Sequence, residues 1–366
     1  MNAVAALLVV CGAAYNLLAI IAAIRFRRQR PALTVFAPPV SILKPVRGRD
    51  AHFHEAIRSH AAQYYPQFEL LFGTADPNDP ALDDIASLRA EFPNVPIRVV
   101  NTNNDAPNGK VGSLEILARE ARHDVLLVND GDIRVEPGYL ARVIGLLAEE
   151  RVGLVTCLYR GRGASLASRA EALGIATEFA PSVLVARLIS GGGFALGSTM
   201  AFRRADLEAI GGFAAIREYL ADDYQLGARI AALGKRVALS CSVVETNLGA
   251  GSWGDVWKHQ VRWSRTIRVS RPAGYFGYAV TQLTFWCVVA ALLGQWRIAA
   301  VGLTVRLIAA ATALSALGSL TPGHVVLSPC RDLFGFAVWA AGMAGREVEW
   351  RGIRFELSPD GRIRPL

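Results

Sequence analysis

Apolar and polar positions divide the chain into three regimes. From Ala3 to Ile24, 22 positions are almost wholly apolar, with Asn16 the one strongly polar member. A helix needs about 20 such residues to cross hydrocarbon, so this run predicts a membrane helix. Residues 38–270 then change period every ten residues or so. Short β-rich runs stand at Val40–Leu43, Glu69–Gly73, Ile97–Val100, Val125–Val128 and Val152–Thr156. Helical spacing of apolar residues fills the gaps at His54–Ala62, Ala81–Ala90, Leu114–Ala121 and Leu140–Glu149. Beyond residue 270 long apolar runs return at Gly274–Gly294 and Ile298–Leu317, parted only by Gln295, Trp296 and Arg297, which predicts a tight membrane hairpin. The last run, Leu333–Met343, covers about half of a crossing and predicts an interfacial or buried helix, not a span. The tail Trp350–Leu366 sets Ser358-Pro-Asp-Gly361 between alternating segments, the pattern of a small surface hairpin.

Arginines orient these runs. Arg25, Arg27, Arg28 and Arg30 follow the first run, whereas a cleaved signal peptide would carry its basic residues before it. An uncleaved anchor follows, with residues 25 onward in the cytosol. Arg262, Arg265, Arg268 and Arg271 precede the second run. Three crossings then return the tail to the cytosol. Arg306, inside the third run, must face protein or snorkel to water. The expected organisation is an anchor with its basic flank at 1–30, a Pro-rich joint at Pro31–Pro39 and a polar domain at 38–270. A membrane region of two spans plus the interfacial helix takes 271–345, and a cytosolic tail hairpin 346–366.

Composition narrows the class. Over 366 residues, 39 Lys and Arg against 31 Asp and Glu leave a net charge of +8, and only 19% of positions are charged. With a mean hydropathy of +0.30, disorder, a collagen-like repeat and a charged nucleic-acid tail are excluded, and a purely soluble enzyme is disfavoured. Cys11, Cys157, Cys241, Cys287 and Cys330 lie far apart, without zinc-ligand spacing or a disulfide framework.

Strands alternating with helices argue a mostly parallel sheet covered on both faces, with ligands at the carboxyl ends of its strands. Carboxylates recur at those ends. Asp130-Gly131-Asp132 follows an apolar strand, and two carboxylates two residues apart can face one Mg²⁺ or Mn²⁺ that bridges a nucleotide-sugar's phosphates. The same triplet is also an ordinary Asp-Gly turn. Asp222-Asp223 opens a helical stretch, as caps or with one member acting as a general base. Asp76 and Asp79 follow the second strand and either hold a ribose or uracil edge or cap the helix starting at Pro80. Trp257, His259, Arg262, Trp263, Arg265 and Arg268 form a basic-aromatic stretch. It suits a diphosphate, and equally a belt against anionic lipid. The glycines Gly191, Gly192, Gly193 and Gly197 allow backbone to approach a sugar or simply to turn.

Seven of these pieces stand in one order: Lys44-Pro45, Asp79-Pro80-Ala81, Asp130-Gly131-Asp132-Ile133-Arg134-Val135, Gly197-Ser-Thr-Met-Ala201, Gly211-Gly212-Phe213, Asp222-Asp223-Tyr224 and His259-Gln-Val-Arg262-Trp263. In this order the chain resembles the ceramide glucosyltransferase family, including bacterial relatives associated with hopanoid glycosylation, over residues 38 to 270. The resemblance implies an α/β fold of GT-A type with a mostly parallel mixed sheet, a UDP-sugar donor, a divalent cation (Mg²⁺ or Mn²⁺), inversion at the anomeric carbon and a membrane-lipid acceptor. It implies Asp223 as catalytic base and Asp130 with Asp132 as the metal site. Asp76, Asp79, His259, Arg262 and Trp263 join these two aspartates in holding the donor. The family's signature begins with Gln or Arg where this chain has His259, and animal members carry His-Pro near Ala180-Pro181. The expected activity is transfer of glucose or N-acetylglucosamine from UDP to ceramide or a hopanoid polyol at the cytosolic face of a bilayer, in a bacterial inner membrane, with no nucleic-acid partner. Two rivals are a processive polysaccharide synthase and a non-catalytic membrane protein that binds nucleotide or lipid.

Overall fold

The computed structural model describes residues 1–31, 34–50, 52–350 and 352–366. Ala32 and Leu33 of the Pro31–Pro39 joint, and Arg351 of the tail, lie outside the described residues. Eight strands build one sheet: β1 Val40–Pro45, β2 Phe68–Thr74, β3 Ile97–Asn101, β4 Val125–Val128, β5 Ile133–Arg134, β6 Val152–Arg162, β7 Met200–Arg203 and β8 Arg236–Asn247. Their spatial order is β3-β2-β1-β4-β7-β6-β8-β5. The first four neighbours are parallel, with Val40 level with Phe68 on one side and Val125 on the other. β7 runs antiparallel between β4 and β6. β6 and β8 pair parallel, and β5 lies antiparallel on β8.

All five expected strands are present. β1, β2 and β4 are buried at every position because helices cover both faces, which is why their sequences run apolar instead of alternating. Ile42, Leu70 and Leu127 enter one core with Ile57, Ile85 and Leu140 of the helices Phe53–Ala61, Ala81–Glu91 and Tyr139–Ile144. Their chain neighbours Leu43, Leu71 and Leu126 enter the other, with Leu114 of Gly109–Glu120 and Leu226 of Asp222–Ala232. Each of these side chains contributes roughly 1.5–3 kcal/mol by burial. A one-residue slip of β1 would exchange the two cores, so the register is fixed. β1, β2 and β4 consequently end along one edge, where Lys44-Pro45, Thr74 and the Asp130–Asp132 turn meet loops from the other side of the sheet.

Among the described residues, four helices are long and apolar enough to cross a membrane: Asn2–Arg27, Leu166–Ser190, Trp296–Ala316 and Pro322–Gly342. Pro272–Thr281 and Leu283–Leu292, bent by 44°, make a fifth if taken as one span. Two features depart from the sequence reading. The run Leu333–Met343 is the second half of a 21-residue helix, whose first half is disguised by His324, Ser328, Pro329, Arg331 and Asp332. Leu166–Ser190 continues through a π turn at Ile175–Phe179 and packs Ala176, Ala180 and Leu184 on Ala19, Ala22 and Ala23 of the N-terminal helix. Pro181 cannot donate to the Thr177 carbonyl four residues earlier. The Arg306 guanidinium donates to it instead, at 3.2 Å.

Contacts at the helix ends fix how these elements stand. Gln295 donates to the Asn2 carbonyl at 2.9 Å, and Arg27 to the Ser315 hydroxyl at 2.9 Å, so the N-terminal helix and Trp296–Ala316 run side by side in one direction. Arg160 of β6 donates to the Leu317 carbonyl at 3.3 Å, which puts the sheet at the Arg27 end. Pro322–Gly342 keeps both ends on that side. Val325 packs on the cluster that includes Leu317, and Arg268 donates to the Gly342 carbonyl at 2.8 Å. The tail is a three-stranded antiparallel sheet, β9 Glu347–Trp350, β10 Ile353–Leu357 and β11 Ile363–Pro365, and not a free hairpin. Phe355, Leu357 and Ile363 bury Leu220, and the Ile363 N–H donates to the Glu218 carbonyl at 2.8 Å.

Candidate functional site

Four aspartates gather where β4, the 191–199 loop and the Asp222–Ala232 helix converge. Asn129 binds the two sides together from below. Its amide donates to the Ser198 carbonyl at 2.6 Å and to the Tyr139 hydroxyl at 3.0 Å. The fully buried Lys44 donates to the Asp130 carbonyl at 3.0 Å and holds the Asp130–Asp132 turn. Burial lowers its ammonium to about 7, against the pull of Asp132 and Asp130. Asp132 accepts from the Thr246 hydroxyl of β8. Its carboxyl is raised by burial and then by the charge of Asp130.

Across the turn, the Gly197 N–H donates to Asp223 Oδ2 at 2.8 Å and the Tyr224 N–H to Asp223 Oδ1 at 2.7 Å. A side chain at Gly197 would begin 3.4 Å from Asp223 Oδ2 and 3.7 Å from Asp130 Oδ2. Asp130 and Asp223 therefore face one space, floored by glycine. Burial raises Asp223 to about 6, reinforced by Asp222 and opposed by Lys110 and the two N–H donors. Lys110, which sequence reasoning did not single out, has its ammonium 2.8 Å from Asp130 Oδ1 and 3.1 Å from Asp222 Oδ2. Burial works against its charge, but the surrounding aspartates outweigh burial and hold it above the ordinary lysine value. A lysine in the first turn of a helix sits at the positive end of the dipole, out of place unless carboxylates face it.

Asp76 and Asp79 stand at the neighbouring strand end. Asp79 is buried, accepting from the Gly48 N–H at 2.7 Å and from the N–H of Ala81, the first residue of the next helix, at 2.9 Å. Asp76 accepts from the Asn78 N–H at 2.8 Å. The basic-aromatic stretch is the helix Trp253–Ser270, started by a reciprocal Ser252–Asp255 cap. His259 Nδ1 lies 2.7 Å from Glu171 Oε1, and its ring is 4.5 Å from that of Trp263. Trp263 meets Phe179 at 6.1 Å, and Phe179 meets Tyr159 of β6 at 5.3 Å. The half-buried Tyr159 phenol is raised by burial and then by the charges of Asp223, Glu171, Asp130 and Asp132. Arg262 is half-buried on the same helix, one turn before Thr266, whose hydroxyl donates to its carbonyl at 2.8 Å.

Among the described residues no three His, Cys, Asp or Glu side chains gather as a ready metal cage. Asp130 and Asp132 alone repel each other, and Asp130 already draws one cation, the Lys110 ammonium. Mg²⁺ is commonly held by one or two carboxylates together with phosphate and water oxygens. The pair fits a cation that arrives with a diphosphate.

Comparison with known proteins agrees with this geometry. The model of the glycosyl transferase family 21 matches residues 4–363. Ceramide glucosyltransferase 1 of Caenorhabditis elegans is 27% identical over 206 residues, 56% of this chain and 44% of its own length. Ceramide glucosyltransferase 3 of the same animal is 25% identical over 231 residues, 62% and 50%. A ceramide glucosyltransferase of Gibberella zeae is 30% identical over 143 residues, 34% and 27%. The chain spans half or less of the length of these curated relatives. Among solved structures, a mannosyltransferase of Pyrobaculum calidifontis in complex with GDP-Man and Mn²⁺ superposes with a TM-score of 0.59 at 18% identity, covering 93% of this chain and 98% of that one. The fold is thus the GT-A-like mixed sheet that the motifs imply, joined to several apolar helices. With residues 4–363 matched by the family model, this chain belongs to glycosyl transferase family 21.

Proposed function

We propose that the protein moves a hexose from a UDP-sugar, UDP-glucose or UDP-N-acetylglucosamine, to a hydroxyl of a membrane lipid, ceramide or a hopanoid polyol, with inversion. The observation that carries this reading is the shared space of Asp130 and Asp223 around Gly197. Asp223 takes the proton of the acceptor hydroxyl. As that oxygen bonds to the anomeric carbon, the bond from this carbon to the diphosphate breaks, and UDP leaves with the electron pair. A buried carboxylate near 6 is well matched to that proton at neutral pH. A divalent cation bound by Asp130, Asp132 and the diphosphate would neutralise charge growing on the leaving group. Lys110 and Arg262 add fixed positive charge, and Trp263 offers a flat apolar wall.

The reaction belongs at the cytosolic face, supported by the arginines after the first apolar run and by the sheet standing at their end of the helices. Three crossings with Pro322–Gly342 lying along the interface suit a helix whose two ends are both on the sheet side. Trp253 and Trp257 meet its Phe334 at 5.9 and 5.8 Å, an aromatic belt at that level.

The test offers membranes containing the protein both radiolabelled UDP-sugars against ceramide and a hopanoid polyol, with Asp223→Asn as the blank and EDTA as a second arm. One sugar–lipid pair gives a single-sugar lipid, lost in the variant and lost on chelation. Transfer that survives Asp223→Asn rejects the assigned base, and full transfer in EDTA rejects the cation.

A further inference from the structure

The loop 191–197, whose last residue floors the acidic cluster, lies directly on the helix Asp222–Ala232. A side chain at Gly227 would collide with the Ala195 nitrogen and come within 2.7 Å of the Phe194 carbonyl carbon. One at Gly193 would meet Ala231 at 3.2 Å. With the Gly197 N–H on Asp223, these contacts follow the helix from Asp223 to Ala231. Displacing Phe194 therefore displaces the backbone that binds the Asp223 carboxylate.

The Phe194 ring meets two guanidiniums. Arg187 stands 5.6 Å and Arg271 5.3 Å from the ring centre, both within reach of a cation–π contact. Arg187 also packs on Gly192, whose φ is +68°, so closely that no side chain fits there. It donates to the Val237 carbonyl at 2.9 Å and to the Phe194 carbonyl at 3.2 Å, and its buried Nε has no partner. Arg271 is exposed. Among the described residues neither guanidinium is paired with a carboxylate. Two positive charges are thus answered only by carbonyls and one aromatic ring.

Their places in the chain put these charges at a membrane border. Arg187 is in the last turn of the apolar helix Leu166–Ser190. Arg271 joins Trp253–Ser270 to the bent apolar pair that starts at Pro272. Both stand on the sheet side, Arg187 by its bond to β8 and Arg271 one turn beyond Arg268, which holds Gly342. Bulky apolar side chains close by in sequence face outward, Ile189 70% and Phe276 58% exposed. Guanidiniums suit a phosphate, and apolar flanks suit acyl chains. A zwitterionic lipid brings its own ammonium and leaves the two arginines unanswered; an anionic one does not. Arg271 at a helix C-terminus also suits the helix dipole, a local role that the test separates.

We propose that an anionic phospholipid docks its phosphate on Arg271 and Arg187 beside Phe194, and that this docking steadies the loop 191–197 against the helix of Asp223. The effect on sugar transfer rests on the reading of Asp223 given above. The lipid site itself does not.

Hydrogen exchange at the amides of residues 191–197, on the full chain in nanodiscs, tests this without any turnover. Phosphatidylglycerol mixed into phosphatidylcholine discs slows that exchange, whereas glycerol phosphate added to phosphatidylcholine discs does not. In Arg271→Gln the phosphatidylglycerol fraction giving half of the protection rises about fivefold, as for one arginine lost at an anionic surface. Arg346→Gln, which removes another exposed arginine beside β10, leaves that fraction unchanged. Exchange indifferent to phosphatidylglycerol, or protection by the soluble phosphate, overturns the proposal. So does an unmoved midpoint in Arg271→Gln, and a lowered Tm beside it would mark a helix-end role alone. An equal shift in Arg346→Gln overturns the site in favour of a diffuse basic surface. Transfer in the same discs rises with phosphatidylglycerol along the same curve. Should no lipid be glycosylated in any disc, the glycosylation reading falls alone, and exchange still decides the lipid site.

Discussion

Lys110 reaches Asp130 from the first turn of its own helix, its ammonium 2.8 Å from the carboxylate, with Asp222 at 3.1 Å on the other flank. The lysine is the internal counter-charge of the acidic cluster. Lys110→Met leaves Asp222 and Asp223 facing Asp130 with nothing between. Asp222 is mostly buried but Asp130 is partly open to solvent, so the loss should cost about 1–3 kcal/mol. Calorimetry should show a lowered Tm that Mn²⁺ partly restores, together with a fall in transfer of about a hundredfold. An unchanged Tm would mean that the lysine is not the counter-charge.

Rate and stability should move in opposite directions with pH. Burial raises Asp223 from the ordinary 3.8 to about 6. Below about 4 the carboxyl is protonated whether the chain is folded or not. Between 4 and 6 the unfolded chain has released its proton while the folded protein retains it, so folding stability falls as pH rises across that window. The base form appears over the same window, so kcat/KM climbs through about 6 and then levels. Paired profiles of initial rate and Tm check the relation, and a rate independent of pH from 5 to 7 would contradict it.

Gly197→Ala is a change that the fold tolerates and the chemistry does not. The added methyl carbon meets Asp223 Oδ2 at 3.4 Å and the Lys110 ammonium at 3.7 Å, ordinary contact distances. It fills the space between the two carboxylates. Tm should shift by less than about 1 kcal/mol equivalent, while UDP-sugar transfer drops by two orders of magnitude or more. Full activity would mean that the sugar lies elsewhere.

Arg306 and Asp332 hold each other inside the apolar helices, and Asp332 also accepts from the Thr284 hydroxyl. Asp332→Leu or Arg306→Met alone should destabilise the protein by roughly 3–5 kcal/mol, because each strands a buried charge. Combining them should recover much of that loss. Unfolding of the three variants in detergent, read as a double-mutant cycle, measures the coupling.

Much of the sheet was legible because β1, β2 and β4 are buried on both faces and read as apolar runs. β8 was not. Its 12 residues carry Ser240, Cys241 and Ser242 in the middle, where its pairing with β6 shifts register between Cys157 and Leu158 and breaks any regular alternation. The helix Leu166–Ser190 hid behind Pro181, which spacing rules take as a stop, and only the guanidinium of Arg306 shows how its carbonyl is served. The pairing of Asp130 with Asp223 was expected from their places at element ends, and both do face Gly197. Their partner Lys110 belongs to no acidic motif and lies 20 positions before Asp130, so spacing alone could not point to it. A helix cap and a nucleotide ligand look alike in sequence at Asp79, whose carboxylate accepts from the Gly48 and Ala81 N–H groups.

The C-terminal sheet closes against Glu218–Leu220, two residues before Asp222 begins the helix that carries Asp223. The segment leading to Asp223 is thus clasped by strands that the chain makes only after traversing every helix from Pro272 to Gly342. Trimming the gene to obtain a water-soluble catalytic fragment would discard that clasp along with the hydrophobic helices. The loop before Asp223 would then lose its brace, and a soluble fragment would be a poor stand-in for this chain.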